Sequence, residues 1–147
     1  MFKHILVPTD GSELSQQSVK SAVMFAKEMN AVITFFCAEQ SFPTMYYGMG
    51  AIFDPHTPTK FHEEMEDVVN MILDNAEKLA NESGVESKKF ILISSEPYEA
   101  IIKAADVNGC DLIFMASHGR HGIDGILLGS ETQKVLTHSK IPVLVYR

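Results

Sequence analysis

The stretch Ile5-Leu6-Val7-Pro8-Thr9-Asp10-Gly11-Ser12 decides the fold, because it passes from a short apolar run through a turn to a helix start. A run of aliphatic residues without polar alternation is typical of a parallel strand that helices cover on both faces. Ser12, followed by Glu13, is typical of a helix N-terminus. The stretch therefore predicts the first strand and the first helix of an α/β domain.

The same pattern recurs along the rest of the chain. Apolar runs at residues 32–38, 90–93, 112–116 and 143–146 alternate with helical segments at residues 13–30, 57–84, 97–108 and 130–138. Because crossovers between parallel strands are right-handed, residues 1–147 are expected to form one doubly wound α/β domain. It would have a five-stranded parallel sheet with four helices on both faces. We expect the strand order 3-2-1-4-5, although the sequence alone permits other orders.

Composition limits the classes of partner. The formal net charge of −7 disfavours a broad electrostatic contact with nucleic acid or an anionic membrane. Cys37 and Cys110 have no CxxC spacing, which indicates reduced thiols in the cytoplasm. The first apolar run is too short for a signal peptide or a membrane span. A cytoplasmic protein with neither nucleic-acid nor membrane partners is expected.

Residues 39–56 fit no regular element. This stretch contains aromatic and methionine side chains among glycines and prolines. A connection of this length is either disordered or functional. A lid, a partner surface and a loop without a role all remain open.

The glycine-rich stretch between residues 116 and 130 is the strongest functional signal. Glycines let backbone N–H groups approach a ligand closely, and the helix that starts at Ser130 adds unpaired donors with a partial positive charge. This combination predicts a phosphate-binding loop. It is neither a Walker A loop nor the dinucleotide-binding fingerprint, since neither motif occurs.

Asp10 has two interpretations. It follows the first strand at the expected switch point of the sheet, where a carboxylate accepts hydrogen bonds from ribose hydroxyls or holds a metal. Alternatively, Asp10 or Ser12 caps the following helix. His118 and His121 are too few ligands for zinc, so no metal site made of protein groups alone is predicted.

Two stretches resemble the universal stress proteins. The first is Lys3-His4-Ile5-Leu6-Val7-Pro8-Thr9-Asp10-Gly11-Ser12, and the second runs from Gly119 to Tyr146 and contains Lys140-Ile141-Pro142-Val143-Leu144-Val145. Nucleotide-binding members of that family carry Gly, two residues, Gly, nine residues and then Gly-Ser or Gly-Thr. Gly119 and Gly129-Ser130 match with the nine-residue gap intact, whereas Ala116 replaces the first glycine. Alanine is tolerable there if the backbone is an ordinary strand, and unfavourable if φ must be positive or if the residue must contact the ligand.

The resemblance implies a site for ATP, alone or with Mg²⁺. Pro8 and Thr9 would lie near the adenosine, Asp10 would bind the ribose, the Ala38 backbone would face adenine, and Met115 and Ala116 would line the pocket. Gly119, Gly129, Ser130 and Thr132 would hold phosphates through N–H and hydroxyl groups. Arg120 is the cation within the loop, and it either contacts a phosphate or faces solvent. Glu131 is unfavourable near a triphosphate unless it points away or helps to hold Mg²⁺.

The resemblance also implies a regulatory protein of the stress response that forms a homodimer through its last strand, expected at a sheet edge. Two other functions remain open. One is a slow ATPase or autophosphorylating enzyme, although the glycine loop contains no lysine and no base stands out to activate water. The other is a dimeric interaction module without a nucleotide.

Overall fold

Strands and helices alternate along the chain. The computed structural model describes residues 1–39, 56–119 and 128–147. In these residues the elements are β1 (His4–Pro8), α1 (Glu13–Met29), β2 (Val32–Glu39), α2 (Thr57–Glu82), β3 (Ser87–Ile93), α3 (Pro97–Val107), β4 (Leu112–Ala116), α4 (Ser130–His138) and β5 (Val143–Tyr146).

The sheet has the order β3-β2-β1-β4-β5, and its paired strands are parallel. The predicted fold class and strand order are therefore confirmed. Ile5 lies opposite Ile33 of β2 on one side and Leu112 of β4 on the other. Because the winding direction reverses between β1 and β4, their carboxyl ends flank the crevice where ligands bind in this type of sheet.

Successive residues of the central strands alternate between two buried clusters. Ile5, Val7 and Phe35 pack with α1 and α2 on one face, whereas Leu6 and Phe36 pack with α3 and α4 on the other. This alternation follows from the two-residue period of a strand whose faces are both covered. It explains why the central runs are apolar throughout.

The helix ends follow local capping rules, with one departure from the sequence prediction. Ser12 caps α1, accepting a hydrogen bond from the Ser15 N–H at 3.4 Å, and Asn30 ends it in the left-handed conformation at φ 51°. A polar residue before a proline predicts a helix cap at Thr57, but the α2 cap is His56, and Thr57 is already helical. Pro58 then lies in the first turn, where proline is compatible with a helix.

The segment predicted as irregular begins and ends inside regular structure. Glu39 is the last residue of β2, and His56 is the cap of α2. Residues 40–55 lie outside the described part of the chain, so the lid and partner-surface hypotheses stay predictions. Among the helices described, none combines the length and apolar character that crossing a membrane requires.

Candidate nucleotide site

A cavity of about 490 Å³ opens at the carboxyl ends of β1, β2 and β4. Every predicted site residue in the described part of the chain lines it, and Arg120 lies outside the described residues. The lining residues predicted from sequence are Pro8, Thr9, Asp10, Ala38, Met115, Ala116, Gly119, Gly129, Ser130, Glu131 and Thr132. The fold thus brings together residues from both ends of the sequence.

The turn after β1 fixes Thr9 and Asp10. The Thr9 N–H donates to the Phe36 carbonyl at 2.8 Å, and its hydroxyl lies 3.1 Å from that of Ser15. Asp10 Oδ1 accepts the Ser12 N–H at 3.0 Å. Asp10 therefore shapes the turn before α1, whereas Ser12 is the helix cap. One Asp10 oxygen serves this turn, and the residue as a whole lines the cavity.

Gly119 and Gly129 allow close approach across the site. A Cβ on Gly119 would collide with Oδ2 of Asp10. A Cβ on Gly129 would lie 3.2 Å from the Cα of His118 and 3.3 Å from the carbonyl oxygen of Ser117. Neither position requires a positive φ, so the need for glycine comes from space rather than from backbone conformation.

Ala116, which replaces the first glycine of the family motif, is the last residue of β4 and pairs with Tyr146 of β5. Its φ is negative, because Asn30 is the sole non-glycine residue of positive φ in the described chain. Alanine is compatible with this backbone. The departure from the motif thus causes no backbone strain.

The start of α4 faces the cavity with backbone donors. Gly129 is its cap and donates its N–H to the Ser117 carbonyl at 2.8 Å. The N–H groups of the first helical turn have no acceptor within the helix and carry a partial positive charge. Ser130, the first helical residue, is exposed. This end of the cavity is suited to an anion.

Thr132 and Glu131 use their side chains for the fold. The Thr132 hydroxyl is buried and donates to the Ala116 carbonyl at 3.2 Å, so it already has an acceptor within the fold, and the phosphate role that the resemblance implies for Thr132 stays a prediction. Glu131 accepts hydrogen bonds from the Tyr98 N–H at 2.8 Å and from Lys134 Nζ at 3.0 Å. Its carboxylate is thereby held toward α3 and Lys134.

The sequence interpretation missed an apolar wall from α2. Met65, Val68 and Ile72 project into the cavity opposite the end of β2. Their helical spacing predicted an apolar face, but a face that covers a sheet and one that lines a cavity have the same pattern. Other lining residues that sequence reasoning did not single out are Ser15, Phe36, Cys37, Val69, Ser94, Pro97, Ile101 and His118.

The charged side chains that line the described part of the cavity are acidic. There, the charged lining residues are Asp10 and Glu131, and no lysine or arginine lines it. His118 places Nδ1 at 3.2 Å from the Ser117 hydroxyl. Within residues 1–39, 56–119 and 128–147, no group of three His, Cys, Asp or Glu side chains is arranged to hold a metal ion.

Comparisons with known proteins agree with this architecture. The full chain, residues 1–147, matches the profile of the Universal stress protein family. The chain belongs to this family. Universal stress protein YxiE of Bacillus subtilis (strain 168) is 32% identical over 149 residues, with 100% of each chain covered.

Solved structures show the same fold. The hypothetical protein MJ0577, whose structure was used to assign a biochemical function, superposes with a TM-score of 0.82 at 28% identity and covers 99% of this chain and 95% of that one. A universal stress protein in complex with cAMP superposes with a TM-score of 0.73 at 24% identity, covering 99% of this chain and 97% of that one.

Proposed function

We propose that the protein binds an adenine nucleotide, ATP foremost, in the cavity at the ends of β1, β2 and β4. One observation carries the proposal: the turn with Asp10 and the start of α4 line the same cavity. The cavity volume of about 490 Å³ lies within the range of roughly 300–1,000 Å³ that small-molecule sites occupy.

The chemistry of the walls orients the ligand. The base lies between Ala38 and the apolar side chains of α2, Met65 and Val68. The ribose lies by Asp10, whose carboxylate is an acceptor for hydroxyl donors. The phosphates lie at the N–H groups that begin α4. The solved complex of a universal stress protein with cAMP supports a ligand of this class.

A triphosphate in this cavity is best bound with Mg²⁺. Its negative charge lies near Asp10, since Glu131 is paired with Lys134, and the described lining supplies backbone N–H groups and no lysine or arginine. A divalent ion carried by the phosphates neutralises part of that charge. Nucleotides with fewer phosphates depend less on the ion.

The proposed role is regulatory, as part of the stress response. The proposed location is the cytoplasm. Efficient phosphoryl transfer uses a cation on the transferred group, and the described cavity lining supplies none from protein side chains. Slow hydrolysis or autophosphorylation is the second candidate. The cytoplasmic assignment is supported by Cys37 and Cys110, which are both free and buried.

We also propose a homodimer through β5. This strand forms one edge of the sheet and pairs with β4 on its inner side. An edge strand presents N–H and C=O groups to a second copy, and the β5 side chains are half-buried in the single chain. Sedimentation analysis of the purified protein tests this assembly.

The nucleotide proposal is tested by calorimetric titration with ATP, AMP and cAMP, each with and without Mg²⁺, after release of any co-purified nucleotide. We expect micromolar binding of ATP with Mg²⁺ and at least a tenfold loss in Asp10→Ala, whose hydrogen bonds to the ribose are charge-assisted. Asp106→Ala is the matched control, since Asp106 is an exposed carboxylate in α3. The absence of binding at millimolar nucleotide would favour the interaction module.

A further inference from the structure

Glu39, the last residue of β2, carries a buried carboxylate. Its side chain is 7% exposed, and Oε1 lies 3.2 Å from Nδ1 of His62, which donates to it. A buried carboxylate is expensive unless it is paired and hydrogen-bonded. The Glu39 backbone is also fixed, because its carbonyl accepts the Ser94 N–H at 2.9 Å. The carboxylate is therefore a rigid point on the sheet to which His62 is attached.

His62 lies in the half of α2 whose described side chains are less buried. Val69 is the first described side chain of α2 that is buried, and Leu73, Ala76 and Ala80 continue this anchored half. Before Val69, the described side chains of the helix are partly or fully exposed. The cap His56 makes no side-chain cap hydrogen bond, and the first turn contains no acidic residue to favour the helix dipole.

This less buried half of α2 contributes lining residues to the cavity. Met65 and Val68 line the cavity, and Met65 lies three residues after His62, so the two side chains share a helix face. Ala38, the residue before Glu39, also lines the cavity. The hydrogen bond between Glu39 and His62 thus joins β2 to α2 next to lining residues of both elements.

We propose that Glu39 and His62 form a clasp that holds the first turns of α2 against β2 and thereby sets the width of the apolar end of the cavity. Both are positioning residues: neither lines the cavity. Opening the clasp lets the first turns of α2 fray, because no described side chain of the helix before Val69 is fully buried. The expected effect of the clasp on ligand affinity rests on the proposed nucleotide site. Its expected effect on the order of α2 does not.

Hydrogen–deuterium exchange of the ligand-free protein tests the clasp directly. Glu39→Leu removes the carboxylate without leaving a buried charge. Amides of residues 61–68 should then exchange about tenfold faster, as expected for losing a hydrogen bond to a charged group, while those of residues 76–82 stay unchanged. Glu39→Gln keeps an acceptor and should restore most of the protection.

Asp74→Asn is the matched control. Asp74 also joins α2 to the sheet, through Lys89 Nζ at 2.6 Å, but its side chain is 60% exposed and it lies in the anchored half of the helix. This variant should leave exchange at residues 61–68 as in the wild type. If Glu39→Leu does not fold, His62→Leu, at a side chain that is 41% exposed, opens the same clasp.

Affinity separates this inference from the nucleotide proposal. We expect Glu39→Leu to weaken ATP binding severalfold, mainly through faster dissociation, with Glu39→Gln intermediate. Unchanged exchange at residues 61–68 in a folded clasp variant would overturn the clasp, whatever the affinities are. If the clasp variants exchange faster at residues 61–68 but the wild type binds no nucleotide, the clasp is supported and the nucleotide site is rejected.

Discussion

The Glu131 carboxylate in α4 caps the N-terminus of α3 by accepting the Tyr98 N–H at 2.8 Å. The α3 cap residue, Glu96, makes no side-chain cap hydrogen bond, and Pro97 has no N–H. Tyr98 therefore carries the first N–H of α3 that needs an acceptor, and a neighbouring helix supplies it. This contact also turns the Glu131 charge toward a helix N-terminus, where negative charge is stabilising.

Removing that cap should destabilise the domain. We expect Glu131→Ala to lower the free energy of unfolding by about 1–2 kcal/mol, in the range of lost helix caps. Glu131→Gln, which keeps an acceptor oxygen, should lose less. Urea unfolding measures the changes, with Glu28→Ala at an exposed site of α1 as the control. Equal values for Glu131→Ala and the control would show that the contact contributes nothing.

The two site glycines should respond differently to alanine. At Gly119 the new methyl meets side-chain atoms, the carboxylate of Asp10, rather than backbone, so nucleotide affinity should fall while stability changes less than at Gly129. At Gly129 it meets the backbone of Ser117 and His118, so stability should fall by about 1–3 kcal/mol as expected for overpacking. Urea unfolding without ligand gives the free energy of unfolding, and calorimetric titration gives the nucleotide affinity. The opposite ranking in stability would contradict this assignment.

Two buried serines of α1 should give effects of opposite sign. Ser18 is 0% exposed, and within the part of the chain that the structure describes its hydroxyl has no hydrogen-bond partner, so Ser18→Ala should stabilise the protein by about 1 kcal/mol. Ser15 lies 3.1 Å from the Thr9 hydroxyl and donates to the Ser12 carbonyl, so Ser15→Ala should destabilise it by about 1 kcal/mol. Thermal unfolding of the ligand-free proteins checks both. A loss of stability in Ser18→Ala would mean that its hydroxyl is satisfied.

His4 should make stability depend on pH. Burial, assisted by the nearby charge of Lys88, lowers the pKa of His4 below its ordinary value of 6.5, against smaller opposing effects of Asp111 and Glu86. The folded protein therefore binds fewer protons than the unfolded chain just below pH 6.5. This contribution to stability is present above that pH and is lost as pH falls toward the folded-state pKa.

His4→Gln should flatten this part of the profile. Its unfolding free energy, measured by urea at intervals from about pH 8 to pH 5, should fall less than that of the wild type as the pH decreases. The comparison is between slopes, since Gln also replaces the contact of His4 Nε2 with the Thr34 hydroxyl at 2.7 Å. Parallel curves would exclude His4 as a source of the pH dependence.

The strands that cross the core were predictable because burial on both faces leaves them apolar throughout. The start of β3 could not be predicted in this way: the strand begins at Ser87, whereas the apolar run begins at residue 90. Lys88 and Lys89 are exposed there at the edge of the sheet, and Lys89 pairs with Asp74 and Glu77 of α2. Polar residues on an edge strand lack the apolar pattern by which a strand is recognised.

The features of the candidate site also fall into those that the sequence predicts and those that it does not. Asp10, Gly119 and Gly129 could be predicted because turn and glycine signals are local in sequence. The contact of Glu131 with Tyr98, the use of the Thr132 hydroxyl by Ala116 and the α2 wall could not, since each depends on how separate elements pack. Local patterns indicate which backbone approaches a ligand, whereas tertiary packing decides which side chains remain available for it.

The pairing of β1 with β4 makes the site a late product of synthesis. Asp111 accepts the Lys3 N–H at 2.8 Å across 108 residues of sequence. At the usual rate of translation, about 5–20 seconds pass between the appearance of these two residues. During that interval β1 lacks its neighbour on one side, and the cavity at the ends of β1, β2 and β4 is incomplete. A ligand that binds this cavity would therefore stabilise only chains in which β4 has been made.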